Sequence, residues 1–180
     1  MAFVGEFNLN NVKSVIKRDW LGESYFEKYG KYAPSISIEI EDDILRDQLI
    51  ANGVKVWSIP SKKDEPPKFY VTVKVDYNDK QSHVVLVDAN GKGTEIHANT
   101  ASMLKNIWVE SVDVHAVISS TVKYGKTIVN PYSKFLVVHA MSDEEKSKHL
   151  NRRIEDNPIY REYASYLDHA STDVEELPFN

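Results

Sequence analysis

The sequence contains no cysteine among its 180 residues. This absence excludes a disulfide framework, a cysteine-ligated zinc site and thiol chemistry, and it is compatible with a reducing compartment. No apolar run approaches the roughly 20 residues that a membrane-spanning helix needs, and residues 1–12 lack the basic start and apolar stretch of a signal peptide. We therefore expect a soluble cytoplasmic protein with no membrane partner.

Sequence motifs for catalysis and metal binding are also missing. The six histidines show neither His-x-x-x-His nor His-Glu-x-x-His spacing, and no Gly-x-Ser-x-Gly elbow occurs. Gly91-Lys92-Gly93-Thr94 lacks the spacing of a phosphate-binding loop and is better explained as a hairpin turn. We expect a protein that is not an enzyme and has no metal or other cofactor. A nuclease site whose acidic residues converge only in the folded chain stays open as an alternative.

The formal net charge of −5 is unevenly distributed along the chain. Four acidic residues and no basic ones occur from residue 168 onward, whereas residues 53–141 hold eleven lysines, eight acidic residues and no arginine. This mild basic bias is too weak for a clamp on duplex DNA, and no recognition-helix motif is present. A single-strand binder needs less charge, because stacking on aromatic rings contributes roughly 1–3 kcal/mol per base.

The middle of the chain has the hydrophobic pattern of a β domain. Residues 35–40 alternate strictly between polar and apolar, which predicts a half-buried strand. Further strands are predicted around a polar, proline-containing loop and in a long hairpin, at residues 54–59, 68–77, 83–87, 112–122 and 127–141. Short helices are predicted at residues 41–52 and 99–105. The predicted fold class is mainly β: an OB-like Greek-key barrel with one or two inserted short helices.

The sequence divides into four predicted segments. They are a lead-in at residues 1–33, the OB-like barrel at 34–141, a helical segment at 142–167 and a disordered acidic tail at 168–180. The helical segment opens with Ser142 three residues before Glu145, which is the spacing of a capping box. The tail has too little apolar surface to offset the entropy of ordering it.

The strand at residues 68–77 carries the sharpest functional signal. Lys68, Tyr70 and Lys74 share its polar face, because side chains alternate across a strand. In the preceding strand Lys55 and Trp57 also face away from the apolar row. If the two strands pair, these residues form one surface of aromatic rings and ammonium groups, as a single-strand groove requires. Two alternatives stay open: the rings pack beneath a loop or helix, or a shift of one residue in register removes the surface.

The tip of the long hairpin is the second candidate. It contains Lys123, Tyr124 and Lys126, with Tyr132 and Lys134 nearby, although turns are often rich in such residues without any function. The predicted nucleic-acid-binding residues are therefore Lys55, Trp57, Lys68, Tyr70, Lys74, Lys123, Tyr124, Lys126, Tyr132 and Lys134.

The last residues of the sequence combine acidic residues with a small apolar end. Asp173, Glu175 and Glu176 precede Leu177, Pro178 and Phe179. This order resembles the acidic tip of bacterial-type and phage single-stranded DNA-binding proteins, with the difference that Asn180 follows the phenylalanine. The resemblance implies that the tail docks replication proteins such as polymerase or helicase/primase and competes with DNA for the basic groove. An acidic tail that only adds solubility is the alternative.

The order of elements through residue 141 also resembles the phage-type OB-fold single-stranded DNA-binding proteins. That resemblance implies binding and protection of single-stranded DNA, without sequence specificity, during replication, recombination and repair. The alternative is a non-catalytic protein–protein adaptor or virion component, in which the β domain is a scaffold and the tail a docking peptide. The sequence leaves the oligomeric state open.

Overall fold

The computed structural model describes residues 2–61 and 64–156. The nine strands of the described residues all lie within residues 2–140 and join into one mixed sheet. In chain order they are β1 (Ala2–Val12), β2 (Val15–Asp19), β3 (Ser35–Ile40), β4 (Val56–Ile59), β5 (Lys68–Lys74), β6 (His83–Val87), β7 (Gly93–Ile96), β8 (Val109–Lys123) and β9 (Lys126–Ala140). The helices are α1 (Glu23–Tyr29), α2 (Asp43–Ala51), a 3₁₀ helix (Ala101–Asn106) and α3 (Asp143–Asp156).

Six of the strands lie side by side in the order β1-β8-β9-β5-β3-β2. The strand β4 pairs with the first half of β5, and β6 lies between β9 and β7. The pairs β5–β9 and β6–β9 are parallel, and the other pairs are antiparallel. Strands dominate and the helices are few and short, so the predicted mainly β, OB-like fold class is confirmed.

The hydrophobic core follows from the two-residue period of the strands. Ile36 pairs with Val73 and Ile38 with Val71, and all four side chains are completely buried. Residues directly opposite each other on paired strands point to the same face, so one apolar face forms along β3 and β5. The face opposite to it carries the polar and aromatic residues of the same strands.

The helices form largely where the sequence patterns predict them. Asp42 caps α2 by accepting hydrogen bonds from the backbone nitrogens of Ile44 at 2.8 Å and Leu45 at 3.2 Å. The helix ends before Gly53, whose φ of +80° is accessible to glycine without strain. The second predicted helix is the 3₁₀ helix Ala101–Asn106.

The lead-in contributes two strands that the sequence patterns did not predict. The strand β1 pairs with β8, and β2 pairs with β3. Two irregularities interrupt the register of β1, between Phe3 and Gly5 and between Leu9 and Val12, so its sequence lacks a clean alternation. The buried side chains of Phe7 and Trp20 belong to the core.

The helix α3 begins where the capping-box spacing predicts it. The Ser142 hydroxyl accepts a hydrogen bond from the Glu145 backbone nitrogen at 3.2 Å. Within the described residues, no helix is both long and apolar enough to cross a membrane. The later part of the predicted helical segment and the whole acidic tail, with Asp173 to Phe179, lie outside the described residues.

Candidate nucleic-acid interface

Two aromatic rings lie together on the outward face of the sheet. Trp57 of β4 is paired with Tyr70 of β5, which meets the condition on which the predicted surface depends. The two ring centroids are 6.4 Å apart and the planes differ by 13°, which is an offset stack. The Trp57 side chain remains 42% exposed. The Trp57 ring is therefore accessible to a ligand, whereas the Tyr70 ring beneath it is half-buried.

A lysine side chain lies across the exposed indole. The Lys55 Nζ is 3.5 Å from the Trp57 ring centroid, which is a cation–π contact. Such contacts contribute about 0.5–1 kcal/mol at exposed sites. This weak contact holds the ammonium group beside the stacked rings. The group can leave the ring when an anion offers it a stronger contact.

The same face continues along β5 toward β9. The Ser37 and Thr72 hydroxyls form a hydrogen bond of 2.9 Å, and two residues further Lys74 pairs with Tyr132. The Lys74 Nζ is 5.6 Å from the Tyr132 ring centroid. We call the set Lys55, Trp57, Tyr70, Lys74 and Tyr132 the aromatic surface.

The strand β9 also passes close to the start of β4. A Cβ atom added to Gly53 would lie 3.3 Å from a methyl group of Val129. The β9 arm of the long hairpin therefore passes close to Gly53, two residues before Lys55 in the chain. This contact and the Lys74–Tyr132 pairing connect the two candidate regions that the sequence analysis treated separately.

Lys74 lies in an unusual electrostatic environment. Burial lowers the pKa of its ammonium group, because a charged group loses hydration when it is buried. The positive charge of Lys123 lowers the Lys74 pKa further. Two positive charges thus act on one partly dehydrated region, which an anion such as a phosphate would stabilise.

The hairpin tip extends into solvent. Lys123 pairs with Lys126, and the two turn residues between them, Tyr124 and Gly125, both have positive φ angles of 52° and 74°. Positive φ at both central residues matches the twist of a two-residue hairpin turn. The Tyr124 side chain is fully exposed, and both lysines are exposed.

Two of the predicted residues are engaged in ion pairs. The Lys68 Nζ lies 3.4 Å from the Glu39 carboxylate at the border of the aromatic surface. Lys134 is a bulge residue in β9, and its Nζ donates to the Asp79 carboxylate at 2.6 Å. This hydrogen bond lowers the pKa of Asp79. Lys134 therefore contributes less free positive charge than its position in the sequence suggests.

Sequence reasoning missed a cleft that opens beside the aromatic surface. Its volume is about 450 Å³, and Lys74 and Tyr132 line it together with residues from four loops and with Ala101 of the 3₁₀ helix. The lining residues absent from the predicted set include Tyr32, Pro34 and Tyr77. The sequence signal for this cleft was the group of aromatic residues in and after α1, which are Tyr25, Phe26, Tyr29 and Tyr32. In the structure their side chains are all exposed.

Clusters of potential metal ligands are absent from the described part of the chain. No group of three or more His, Asp or Glu side chains there could hold a metal ion. Histidines instead lie beside single carboxylates: His83 at 2.8 Å from Glu95, His115 at 3.2 Å from Glu6 and His139 at 2.7 Å from Asp113.

Comparisons with known proteins give structural matches only. No protein-family model and no curated protein matches the chain. The chain is similar in structure to the single-stranded DNA-binding protein from bacteriophage Enc34, with a TM-score of 0.48, 10% sequence identity and coverage of 77% of this chain and 83% of that chain. For the same protein in complex with single-stranded DNA, the values are 0.45, 12%, 77% and 88%. For gp2.5, a single-stranded DNA-binding protein encoded by bacteriophage T7, they are 0.41, 11%, 76% and 92%.

Proposed function

We propose that this protein binds and protects single-stranded DNA without sequence specificity, in the context of replication and recombination. The observation that carries the proposal is the stack of the exposed Trp57 ring on Tyr70 with the Lys55 ammonium against it. An exposed indole on a second ring, beside cations on an otherwise polar sheet face, matches what a single strand offers, which is unpaired bases joined by phosphates.

Base stacking supplies the sequence-independent part of the affinity. Every base has a π face, so a base can extend the Trp57–Tyr70 stack whatever its identity. The Lys55 ammonium covers part of the Trp57 ring in the free protein. On binding, the lysine exchanges this contact for a phosphate, and its charge-assisted bond is the stronger of the two.

The second contribution is electrostatic. The positive charge of Lys123 acts on the partly buried Lys74 at the far end of the aromatic surface and lowers its pKa. A phosphate bound at Lys74 relieves this repulsion, and its neutralisation releases counterions from the DNA. Tyr132, paired with Lys74, offers a further ring for a base. The mechanism is capture and stacking, with no bond made or broken.

The acidic tail supports a further part of the proposal. Residues 168–180 carry acidic residues followed by Leu177, Pro178 and Phe179. Charged residues steer a partner with a basic surface, and a phenylalanine anchors in an apolar pocket. We assign to this tail the recruitment of replication proteins such as polymerase or helicase/primase.

Fluorescence anisotropy of a labelled oligo-dT tests the proposal directly. The full chain and a chain ending at Ala170 are titrated at two salt concentrations, with a duplex of equal length as the control ligand. We expect binding to the single strand that weakens with salt, weaker binding to the duplex, and tighter binding after tail removal. If neither folded protein binds the oligonucleotide, the proposal is wrong, and the adaptor or virion function with a docking tail takes its place.

A further inference from the structure

The cleft beside the aromatic surface has walls suited to a flat, aromatic ligand. Its volume of about 450 Å³ lies within the roughly 300–1,000 Å³ typical of small-ligand sites. Three tyrosines line it, together with a proline and the small side chains of Ala33, Ala98 and Ala101. The tyrosines are Tyr32, Tyr77 and Tyr132. Aromatic walls with few charges favour a ring over a free ion.

The walls are held in place before any ligand arrives. Tyr32 stacks on Phe26 with ring centroids 4.4 Å apart and planes differing by 13°. The Pro34 carbonyl accepts a hydrogen bond from the Val75 backbone nitrogen at 2.9 Å, which joins two sides of the cleft. A preformed site loses less conformational entropy on binding.

One buried polar atom of the lining lacks a partner. The Tyr77 hydroxyl is buried and forms no hydrogen bond with the described residues. An unsatisfied buried hydroxyl destabilises a fold, because it has lost its hydration without gaining a partner. A base with a hydrogen-bonding edge would satisfy it once the side chains of the lining shift to admit the base.

The charges around the cleft favour a neutral base in its interior and a phosphate at its edge. Burial raises the pKa of the Tyr132 hydroxyl, and the nearby Asp76 carboxylate raises it further. Asp76 also lines the cleft, so an anion inside would be repelled, whereas Lys74 lines the side shared with the aromatic surface. A neutral ring fits the interior, and the phosphate attached to it fits the lysine side.

We propose that the cleft receives one unstacked nucleobase of the bound single strand, while the strand's neighbouring bases stack on Trp57 and Tyr70. This inference rests on the proposed function, because it assigns a further subsite to the same ligand. The single strand would then run from the Trp57–Tyr70 stack across Lys74 and Tyr132 and end with a base beside Tyr32.

Two substitutions test the subsite in the full chain with a labelled oligo-dT. Tyr32→Ala removes an exposed ring from the cleft, and we expect a loss of affinity of roughly 5- to 100-fold. Tyr77→Phe removes only the hydroxyl, and we expect about a 3- to 10-fold loss. The matched control is Tyr29→Ala, which removes an exposed ring of α1 that does not line the cleft and should bind like the parent.

Urea unfolding distinguishes a ligand contact from a structural effect. Tyr77→Phe should unfold at an equal or higher free energy than the parent chain, because it deletes an unsatisfied buried hydroxyl. A variant that is at least as stable and yet binds DNA more weakly has lost a contact with DNA. Photo-cross-linking of an oligonucleotide that carries iododeoxyuridine should label Tyr32 or Tyr77 in addition to Trp57.

The outcomes separate the subsite from the function. Weakened binding by Tyr32→Ala and Tyr77→Phe, with Tyr29→Ala unchanged, supports the subsite. If both variants bind like the parent while Trp57→Ala binds weakly, the subsite is wrong and the proposed function stands. If the parent chain binds no oligonucleotide, both proposals fall together.

Discussion

Replacing Trp57 with alanine should weaken single-strand binding without unfolding the protein. The side chain is 42% exposed and lies on the outward face, so its removal leaves no cavity in the core. The fold loses the stack on Tyr70, worth about 0.5–1.5 kcal/mol, and the Lys55 contact, worth about 0.5–1 kcal/mol. Because small domains have roughly 5–15 kcal/mol of stability, the variant should remain folded.

The loss of binding should be larger than that structural cost suggests. A base stacked on an aromatic side chain contributes roughly 1–3 kcal/mol, which corresponds to about a 5- to 150-fold change in dissociation constant. Anisotropy of labelled oligo-dT measures the change, and urea unfolding of the same preparation confirms the fold. Trp57→Phe retains a smaller ring and should fall between the parent and the alanine variant.

Trp108 provides the matched control. Its side chain is 39% exposed, nearly the same as that of Trp57, but it lies immediately before β8, outside the aromatic surface. Trp108→Ala should bind oligo-dT like the parent chain. Equal binding by parent and Trp57→Ala would refute the stacking role, and equal losses from both tryptophan variants would refute its location on this surface.

Three further predictions test the electrostatics and the frame of the site. Burial lowers the pKa of Lys74, so affinity for oligo-dT should fall as the pH rises through that lowered pKa, at a pH below about 10.4, the ordinary value for lysine. The variant Lys74→Arg stays protonated and should bind without this decline. Identical pH profiles for the parent and the variant would contradict a role of the Lys74 charge in binding. Gly30→Ala should destabilise the fold by about 1–2 kcal/mol, and Gly22→Ala should destabilise it more. Both glycines have positive φ, but only Gly22 lies against neighbouring backbone. Equal free energies of unfolding in urea for the two variants would refute this reason. The Lys134 hydrogen bond lowers the pKa of Asp79, so it stabilises the fold above the unfolded-state pKa of about 3.9. This stabilisation is lost as the pH falls through the lower folded-state pKa. The difference in Tm between the parent and Lys134→Met should therefore shrink on acidification, and a difference independent of pH would argue against the ion pair.

Sequence alternation predicted the faces of β4 and β5 correctly. Trp57 and Tyr70 point away from Val71 and Val73 because side chains of a strand alternate and the apolar set is the buried one. The same reasoning missed β1, because irregularities in its register break the alternation. Local patterns lose information where irregularities are frequent in a short stretch, as they are in β1.

Proximity between distant segments could not be predicted in the same way. Tyr132 was expected near the hairpin tip, but it lies beside Lys74 because β9 runs parallel to the end of β5. Tyr32 lines the same cleft although about one hundred positions separate it from Tyr132 in the chain. Strand pairing of this kind depends on how the whole sheet closes, which no local pattern encodes.

The sequence by itself determined the mainly β fold, the separation of basic and acidic regions, and the outward direction of Trp57 and Tyr70. Each of these follows from composition or from a period of two residues, which are local properties of the chain. The tertiary structure alone decided that Lys74 lies next to Tyr132, that Lys134 is paired with Asp79, and that a cleft opens beside the aromatic surface. These features depend on which distant segments of the chain meet in space, and a local pattern does not encode that. The Lys134 charge is an example, because its pairing with Asp79 leaves less positive charge for a ligand.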